Sequence, residues 1–98
     1  MNMQAMLKQA QKMQKDMMKT QDEINNTIYE GKASSVSVKV KGSKEIVEVK
    51  IDTDHIENDE IELFEDMIVA ALNDAMNKVN EDVELKMGAY TNGMPGLF

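Results

Sequence analysis

Four lysines near the start of the chain have the residue type and the spacing to bind an anion. Lys8, Lys12, Lys15 and Lys19 follow one another at steps of four, three and four residues, so on a helix they share one face. A row of ammonium groups attracts phosphates or another polyanion through charge alone. The same row is also typical of an ordinary solvated helix face. The spacing therefore leaves two interpretations open, an anion-binding face and a solvated one.

Methionines recur on the same stretch at helical spacing. Met3 and Met6 lie one turn apart, as do Met13 and Met17, and paired thioethers are ligands that copper(I) accepts. The chain has no Cys, and His55 is its only His. Without such supporting ligands, packing in a core or a dimer is the favoured role of the methionines, and no metal site is predicted.

The remaining polar residues do not form a pattern that predicts catalysis. His55 lies in a polar connection without a partner ligand, and the acidic stretch from Asp52 to Asp66 lacks the glycine and the spaced ligand positions of a calcium loop. No nucleophile has a positioned base, and no glycine-rich loop joins a strand to a helix. We therefore predict no enzyme activity, no cofactor and no small-molecule substrate.

Charge and composition place further bounds on the class of protein. The net charge is −7, but residues 1–50 carry nine Lys against six acidic residues, whereas residues 51–98 carry two Lys against twelve. Such asymmetry points to a polyanion or membrane partner for the basic half. The absence of Cys is compatible with the reducing cytoplasm, and the first twenty residues contain no apolar run of the kind found in a signal peptide or membrane span. We expect a soluble cytoplasmic protein of one domain.

The element that must position the lysines is a long first helix, predicted from about Asn2 to about Ile24. Apolar residues recur along it at alternating steps of three and four, the seam of an amphipathic helix that pairs with another helix. A helix of this length spans about 35 Å, more than a compact domain of about a hundred residues is wide. It should therefore project from the body. The seam residues predicted to serve dimer contacts or packing are Met6, Met13, Met17 and Ile24.

A small antiparallel sheet should follow the helix. A weakly patterned first strand is predicted from Thr27 to Ala33, interrupted by Gly31. Val36, Val38 and Val40 alternate with Ser and Lys, the two-residue period of a strand with one buried face. After a turn at residues 41–44, a third strand alternates in the same way through residue 51. The apolar face of this meander requires a cover.

A second long helix is predicted to provide that cover. Asn58 or Asp59 could cap it, after a single helical turn at residues 54–57, and apolar residues repeat at helical spacing to about Met87. The helix is apolar on nearly all sides in its middle, which predicts contacts on two sides. Its residues predicted to serve packing or dimer contacts are Ile68, Leu72 and Met76. Residues 1–87 would form the domain, and residues 88–98, with three Gly and one Pro, a flexible tail.

Several segments together resemble the YbaB/EbfC family of bacterial nucleoid-associated proteins, over essentially the whole chain and in order. The valine hairpin and Asn73-Asp74-Ala75 within an apolar helix carry part of the resemblance. The other matching segments are Met3–Lys15, Val49–Asp52, Leu63–Ala75 and Gly93–Phe98. The resemblance implies an α+β fold with a helix, three antiparallel strands and a long helix (αβββα), in a homodimer shaped like tweezers. It also implies binding to double-stranded DNA in the nucleoid, with roles in nucleoid organisation and gene expression.

One departure from the family bears on affinity. The place just after Asn73-Asp74-Ala75, where members usually carry Arg and Lys, holds Met76-Asn77-Lys78, and the chain contains no Arg. Lysine contacts phosphate without reading sequence. We therefore expect weak, largely non-specific and salt-sensitive binding to DNA. The residues predicted to make it are Lys8, Lys12, Lys15 and Lys19, helped by Lys78 and Lys86.

Two alternatives to DNA binding follow from the same residues. The Met-rich first helix and the terminal Leu97-Phe98 could bind a partner protein, which would make the chain an interaction adaptor with little or no affinity for DNA. A peripheral membrane helix is less favoured, because the lysines are few and the apolar face of the first helix lacks Trp and Phe.

Overall fold

The computed structural model describes residues 2–93 and has the order helix, three strands, helix. Helix α1 spans Met3–Asn26, the strands β1, β2 and β3 span Ile28–Ala33, Val36–Lys41 and Ile46–Ile51, and helix α2 spans Ile61–Gly93. A short 3-10 turn, Asn58–Glu60, precedes α2. The predicted α+β class and the order of its elements are confirmed.

Helix α1 begins and ends with local side-chain hydrogen bonds. The Asn2 side chain accepts a hydrogen bond from the Gln4 backbone N–H at 3.0 Å, which caps the first turn. At the other end the Thr27 hydroxyl donates to the Glu23 carbonyl at 2.7 Å, and the chain turns directly into β1. Ile24 is the one buried residue of the helix, and it packs against the turn at Gly42. The root of α1 is therefore fixed at one end of the sheet.

The sheet is a plain meander with strand order β1-β2-β3 and antiparallel pairing throughout. Residues paired across neighbouring strands point to the same face. Val36, Val38 and Val40 are buried on the face that packs against α2, as their alternation predicted. Across the ladder, Val36 pairs with Ile51, Val38 with Val49 and, past a shift in register, Val40 with Ile46, so these three residues of β3 belong to the same inner face.

Helix α2 covers β1 and β2 closely. Its Phe64, Ala71, Ala75 and Val79 are buried against the valines of β2. Beneath it β1 carries Gly31, where an added Cβ would lie 2.1 Å from the Ala71 carbonyl oxygen. Small residues on both elements therefore let helix and strand approach to backbone contact, and this seam positions the whole of α2.

Two boundaries differ from the predictions made from sequence. The helical turn ahead of α2 lies at Asn58–Glu60 instead of residues 54–57, and the Glu60 side chain accepts a hydrogen bond from the Glu57 N–H at 3.1 Å, so neither Asn58 nor Asp59 caps the helix proper. Helix α2 then continues through Gly88 to Gly93, past the predicted end near Met87. The Tyr90 hydroxyl lies 3.2 Å from that of Thr20 on α1, a tertiary contact that helps to hold this extension. The rest of the predicted tail, residues 94–98, lies outside the described residues.

The two edges of the sheet are unlike. On β1, the Lys32 backbone N–H donates to the Asp74 carboxylate at 3.0 Å, and the Lys78 ammonium donates to the Glu30 carbonyl at 2.7 Å. Asp74 and Lys78 also pair with each other across one turn of α2, at 3.4 Å. Side chains of α2 therefore bind one outward N–H and one outward carbonyl of β1, whereas every residue of β3 is exposed.

The molecule is strongly elongated. Its principal extents are 71 × 21 × 13 Å and its radius of gyration is 19.6 Å, against about 13 Å for a compact domain of this length. The first ten residues of α1 are all exposed where the structure describes them. The predicted projection of the first helix is thus observed.

Candidate nucleic-acid interface

The four lysines of α1 form one unobstructed row, termed here the lysine face: Lys8, Lys12, Lys15 and Lys19. All four are exposed, and none takes part in an ion pair with another residue of the described range 2–93. From Lys8 to Lys19 the row extends about 16 Å along the helix axis. From Met3 to Gln21 the helix carries a single acid, Asp16, so the local charge is positive on a chain of negative net charge.

The opposite side of α1 is apolar and mostly without a cover. Met3 is 76% exposed and Leu7 is 59% exposed, and Met6 is exposed beside them. Further along, Met13 and Met17 are half-buried, and Ile24 is fully buried. Of the seam residues predicted to pack, the structure thus buries only those near the root of the helix.

The two predicted helper lysines are engaged elsewhere. Lys78 pairs with Asp74 and donates to the Glu30 carbonyl, and Lys86 pairs with Asp82 at 3.0 Å. In each pair the lysine follows the acid by four residues, a spacing visible in the sequence. Helix α2 carries seven acidic residues and two lysines, so both of its lysines are paired with acids. The structure does not bring these two lysines together with the lysine face, and their contact with DNA stays a prediction.

A tyrosine and an aspartate connect the sheet to the acidic end of α2. The Tyr29 hydroxyl donates a hydrogen bond to Asp82, which also pairs with Lys86. Burial, followed by this hydrogen bond and the nearby negative charge, raises the pKa of Tyr29 to about 12. The hydrogen bond from Tyr29, followed by that from Lys86, lowers the pKa of Asp82. Tyr29 and Lys86 thereby hold this acid in place.

A second acid on α2 is held in the same manner. The backbone N–H of Lys32 and then the Lys78 ammonium lower the pKa of Asp74. Sequence reasoning identified neither Tyr29 nor these two aspartates as important. The sequence signal for these two aspartates was a lysine four residues further along α2. Their contacts with β1 could not be predicted, because the tertiary fold alone sets them.

The residues of α2 predicted to pack behave as one group. Ile68, Leu72 and Met76 are half-buried and border the core. Neighbouring positions on the far side of the helix remain uncovered, with Val69 58% exposed. The predicted second cover of this apolar helix is therefore present only near its end, where α1 meets it at Thr20 and Tyr90.

Residues 2–93 contain no group of three or more His, Asp or Glu side chains arranged to hold a metal ion. Neither helix in that range is long and apolar enough to cross a membrane.

The chain is similar to a known family of proteins. The model of the YbaB/EbfC DNA-binding family matches residues 1–94. A nucleoid-associated protein of Ligilactobacillus salivarius (strain UCC118) is 41% identical over 99 residues, with 99% of this chain and 95% of that protein covered. One of Oceanobacillus iheyensis is 44% identical over 101 residues, with 99% and 97% covered. The crystal structure of an uncharacterized protein from Helicobacter pylori superposes with a TM-score of 0.68 at 26% identity, covering 86% of this chain and 90% of that one.

Proposed function

Because the chain belongs to the YbaB/EbfC DNA-binding family, we propose that it binds double-stranded DNA through the lysine face of α1. The observation that carries the proposal is that these four ammonium groups lie on a projecting helix, without an ion pair in the described part of the chain. Two acids of α2, Asp74 and Asp82, are matched by Lys78 and Lys86. Positive charge is thus held apart from the acidic body.

The binding is largely independent of base sequence. The chain has no Arg, so the bidentate contact between guanidinium and guanine is absent. Lysine contacts to phosphate fix position on the duplex and release counterions but carry little sequence information. Such a protein acts over long stretches of DNA, which fits a place in the bacterial nucleoid with effects on its organisation and on gene expression.

The functional unit is a homodimer. The chain exposes 7419 Å², whereas a compact monomer of 11.0 kDa exposes about 5,600 Å². Part of the excess is the apolar inner face of β3, where Ile46 and Val49 are 50% and 45% exposed. A second copy that pairs along β3 would cover this face and bring a second lysine face to the same assembly.

The edge of β3 is built for such pairing. The Asp52 N–H donates to the Ser35 carbonyl at 2.8 Å, and hydrogen-bonded and non-hydrogen-bonded pairs alternate along an antiparallel ladder. The backbone groups of Lys50 therefore face β2, while those of Val49 and Ile51 point outward from the edge. No residue of the described range meets them, in contrast to the capped edge of β1.

The dependence of binding on salt tests the phosphate mechanism. If a dimer neutralises about six phosphates, the logarithm of the association constant should fall against the logarithm of salt concentration with a slope of roughly −5. Fluorescence anisotropy of labelled duplexes of unrelated sequence, between about 50 and 200 mM salt, measures that slope. Equal affinities for the different duplexes are expected, and no binding even at the lowest salt would refute the proposal.

Substitutions locate the site. Changing Lys8, Lys12 and Lys15 to Gln should lower affinity at least tenfold and flatten the salt slope, and adding Lys19→Gln should remove the remaining binding. The matched control changes Lys39, Lys41 and Lys44 to Gln, which removes the same charge from the sheet. Equal losses in the two triple variants would mean that net charge, and not the lysine face, governs binding.

A further inference from the structure

We infer that a depression at the far end of the sheet binds a phosphate group. The depression has a volume of about 280 Å³ and is formed by the turn between β1 and β2 together with the end of β3. Its polar lining consists of Lys32, Ser34, Ser35, Ser37, Lys50 and Asp52. This site is separate from the lysine face and goes beyond the function proposed above.

The strand register places the central donors side by side. Ser37 on the middle strand pairs with Lys32 on one side and with Lys50 on the other. Directly paired residues of an antiparallel sheet point to the same face, so two ammonium groups flank one hydroxyl. That face is the outer one, because Val36 and Val38 on either side of Ser37 are buried toward α2.

These donors have no other partner within residues 2–93. Neither Lys32 nor Lys50 takes part in a salt bridge there, although Lys39 and Lys41 on the same face pair with Glu48 and Glu45. The hydroxyls of Ser34, Ser35 and Ser37 make no hydrogen bond in that range either. The lining therefore offers two cations and three hydroxyl donors.

The chemistry of the lining selects a phosphate group. A phosphate presents several acceptor oxygens, which can be shared among ammonium groups and hydroxyls on three sides. Asp52 is the one acid in the lining, so the charge of the lining is net positive. The Asp52 backbone is bound to the Ser35 carbonyl, which fixes the end of β3 against the turn. A cation would meet two lysines here and is excluded by repulsion.

The turn holds its hydroxyls in a defined place. Ala33 pairs with Val36, so Ser34 and Ser35 form a two-residue turn, and Ser34 has a φ of 53°. A positive φ is favourable for glycine and costs free energy for serine. A side chain with a hydroxyl thus stands at a strained position, and the short turn keeps it at the rim of the depression.

The depression is distant from α1. Helix α1 is rooted at Gly42, at the opposite end of the sheet, and each strand has six residues, about 20 Å in length. The outer face also remains free when a second copy pairs along β3. The phosphate group could belong to a free phosphate compound or to the backbone of DNA held elsewhere by α1, and both share the chemistry described here.

Amide chemical shifts of the full-length protein test the site directly. The protein is titrated with inorganic phosphate up to about 50 mM at constant ionic strength, a concentration that detects dissociation constants in the millimolar range. The amides of Ser34, Ser35 and Ser37 should shift along a saturating curve. Lys32→Gln with Lys50→Gln should weaken this binding at least tenfold. The matched control is Lys39→Gln with Lys44→Gln, which removes the same charge from the sheet outside the depression and should leave binding unchanged.

A second arm with duplex DNA at low salt identifies the source of the phosphate. If the Lys32 and Lys50 variant loses more DNA affinity than its control, the site receives a backbone phosphate; if the two variants bind DNA equally while inorganic phosphate still binds, it receives a free phosphate. Absence of local shifts with both ligands, or equal shifts in variant and control, would overturn the inference. The α1 triple variant should keep its phosphate response, so failure of the proposed DNA site and failure of this one are distinguishable.

Discussion

Gly31 lies where β1 passes under α2, and this residue sets the distance between the sheet and the helix. A Cβ at this position would lie 2.1 Å from the Ala71 carbonyl oxygen and 2.5 Å from the Ala75 backbone nitrogen. Both neighbours are backbone atoms of a helix and cannot rotate away. The only relief is to move α2 off the sheet, which would also loosen the Asp74 and Lys78 contacts with the edge of β1.

Gly31→Ala should therefore lower the free energy of unfolding by about 3 kcal/mol or more, since overpacking against backbone is among the costly substitutions. The control is Gly88→Ala, at a helical glycine whose added Cβ would meet nothing within 4 Å. It should raise the free energy of unfolding by about 0.5–1 kcal/mol, because alanine is the better helix former. Urea denaturation measures the free energy of unfolding of both variants. An unchanged free energy of unfolding for Gly31→Ala would contradict the close contact between β1 and α2.

The hydrogen bond between Tyr29 and Asp82 makes stability depend on pH at both extremes. A carboxylate whose pKa is lowered in the folded state stabilises the fold above its unfolded pKa and loses this contribution as pH falls. A phenol whose pKa is raised to about 12 stabilises it below about pH 10 and loses this contribution as pH rises between those values. The acid limb depends mainly on the contact between Tyr29 and Asp82, and the alkaline limb depends first on the burial of Tyr29 and then on that contact.

We expect the midpoint temperature of thermal unfolding to decrease once the pH drops below about 4, because Asp82 and Asp74 then become protonated. Asp82→Asn should be less stable than the parent at neutral pH, and the difference should shrink in acid. Circular dichroism melts from neutral to acidic pH measure both. A constant difference across that range would show that the charge of Asp82 does not stabilise the fold.

At the scale of elements, the period of apolar residues predicted most of the architecture. The alternation along β2 and β3 and the three-and-four spacing of the helices identified four of the five elements, because burial of one face dictates those periods, whereas β1 was only weakly patterned. The end of α2 could not be predicted in the same way. Gly88 is a poor helix former on its own, and the helix continues past it to Tyr90, whose contact with Thr20 depends on where α1 lies.

The candidate interface could be predicted from the sequence only in part. The lysine face depends on spacing within one helix, so the sequence displayed it in full. The role of Lys78 at the edge of β1, and the meeting of Lys32 with Lys50, depend on which strands become neighbours and in what register. No local pattern encodes these contacts between distant residues.

The unpaired edge of β3 gives a test of the dimer at this scale. Val49→Pro removes an outward N–H without removing a hydrogen bond to β2, so the fold should persist while pairing between copies weakens. Sedimentation at micromolar concentration should give about twice 11.0 kDa for the parent and a lower mass for this variant. Val49→Thr keeps the N–H and a branched side chain, and it should remain dimeric. A parent mass near 11.0 kDa would refute the homodimer.

For the whole molecule, we expect the unlike edges of the sheet to limit how many copies associate. The proposed pairing along β3 would join two chains and leave the two β1 edges at the outside, where Asp74 and Lys78 bind the Lys32 N–H and the Glu30 carbonyl. An edge blocked by neighbouring side chains does not recruit another strand. We therefore expect association to end at two copies.

Removing that block should extend the assembly. Asp74→Ala with Lys78→Ala leaves the Lys32 N–H and the Glu30 carbonyl without their partners, and species larger than a dimer should appear in light scattering coupled to gel filtration. Asp74→Asn with Lys78→Gln keeps an acceptor and a donor at the same places and should stay dimeric. If the Ala variant also remains a dimer, the two side chains do not limit assembly.

The attachment of α1 has a mechanical consequence. The helix is held near its carboxyl end by Ile24 and by the Thr20–Tyr90 contact, and its first turn lies about 30 Å from that pivot. A tilt of about 10° there swings the tip by about 5 Å. In the proposed dimer, two such arms would act as a caliper whose gap adjusts to the width of the object between them, which would suit a partner whose local shape changes from one stretch to the next.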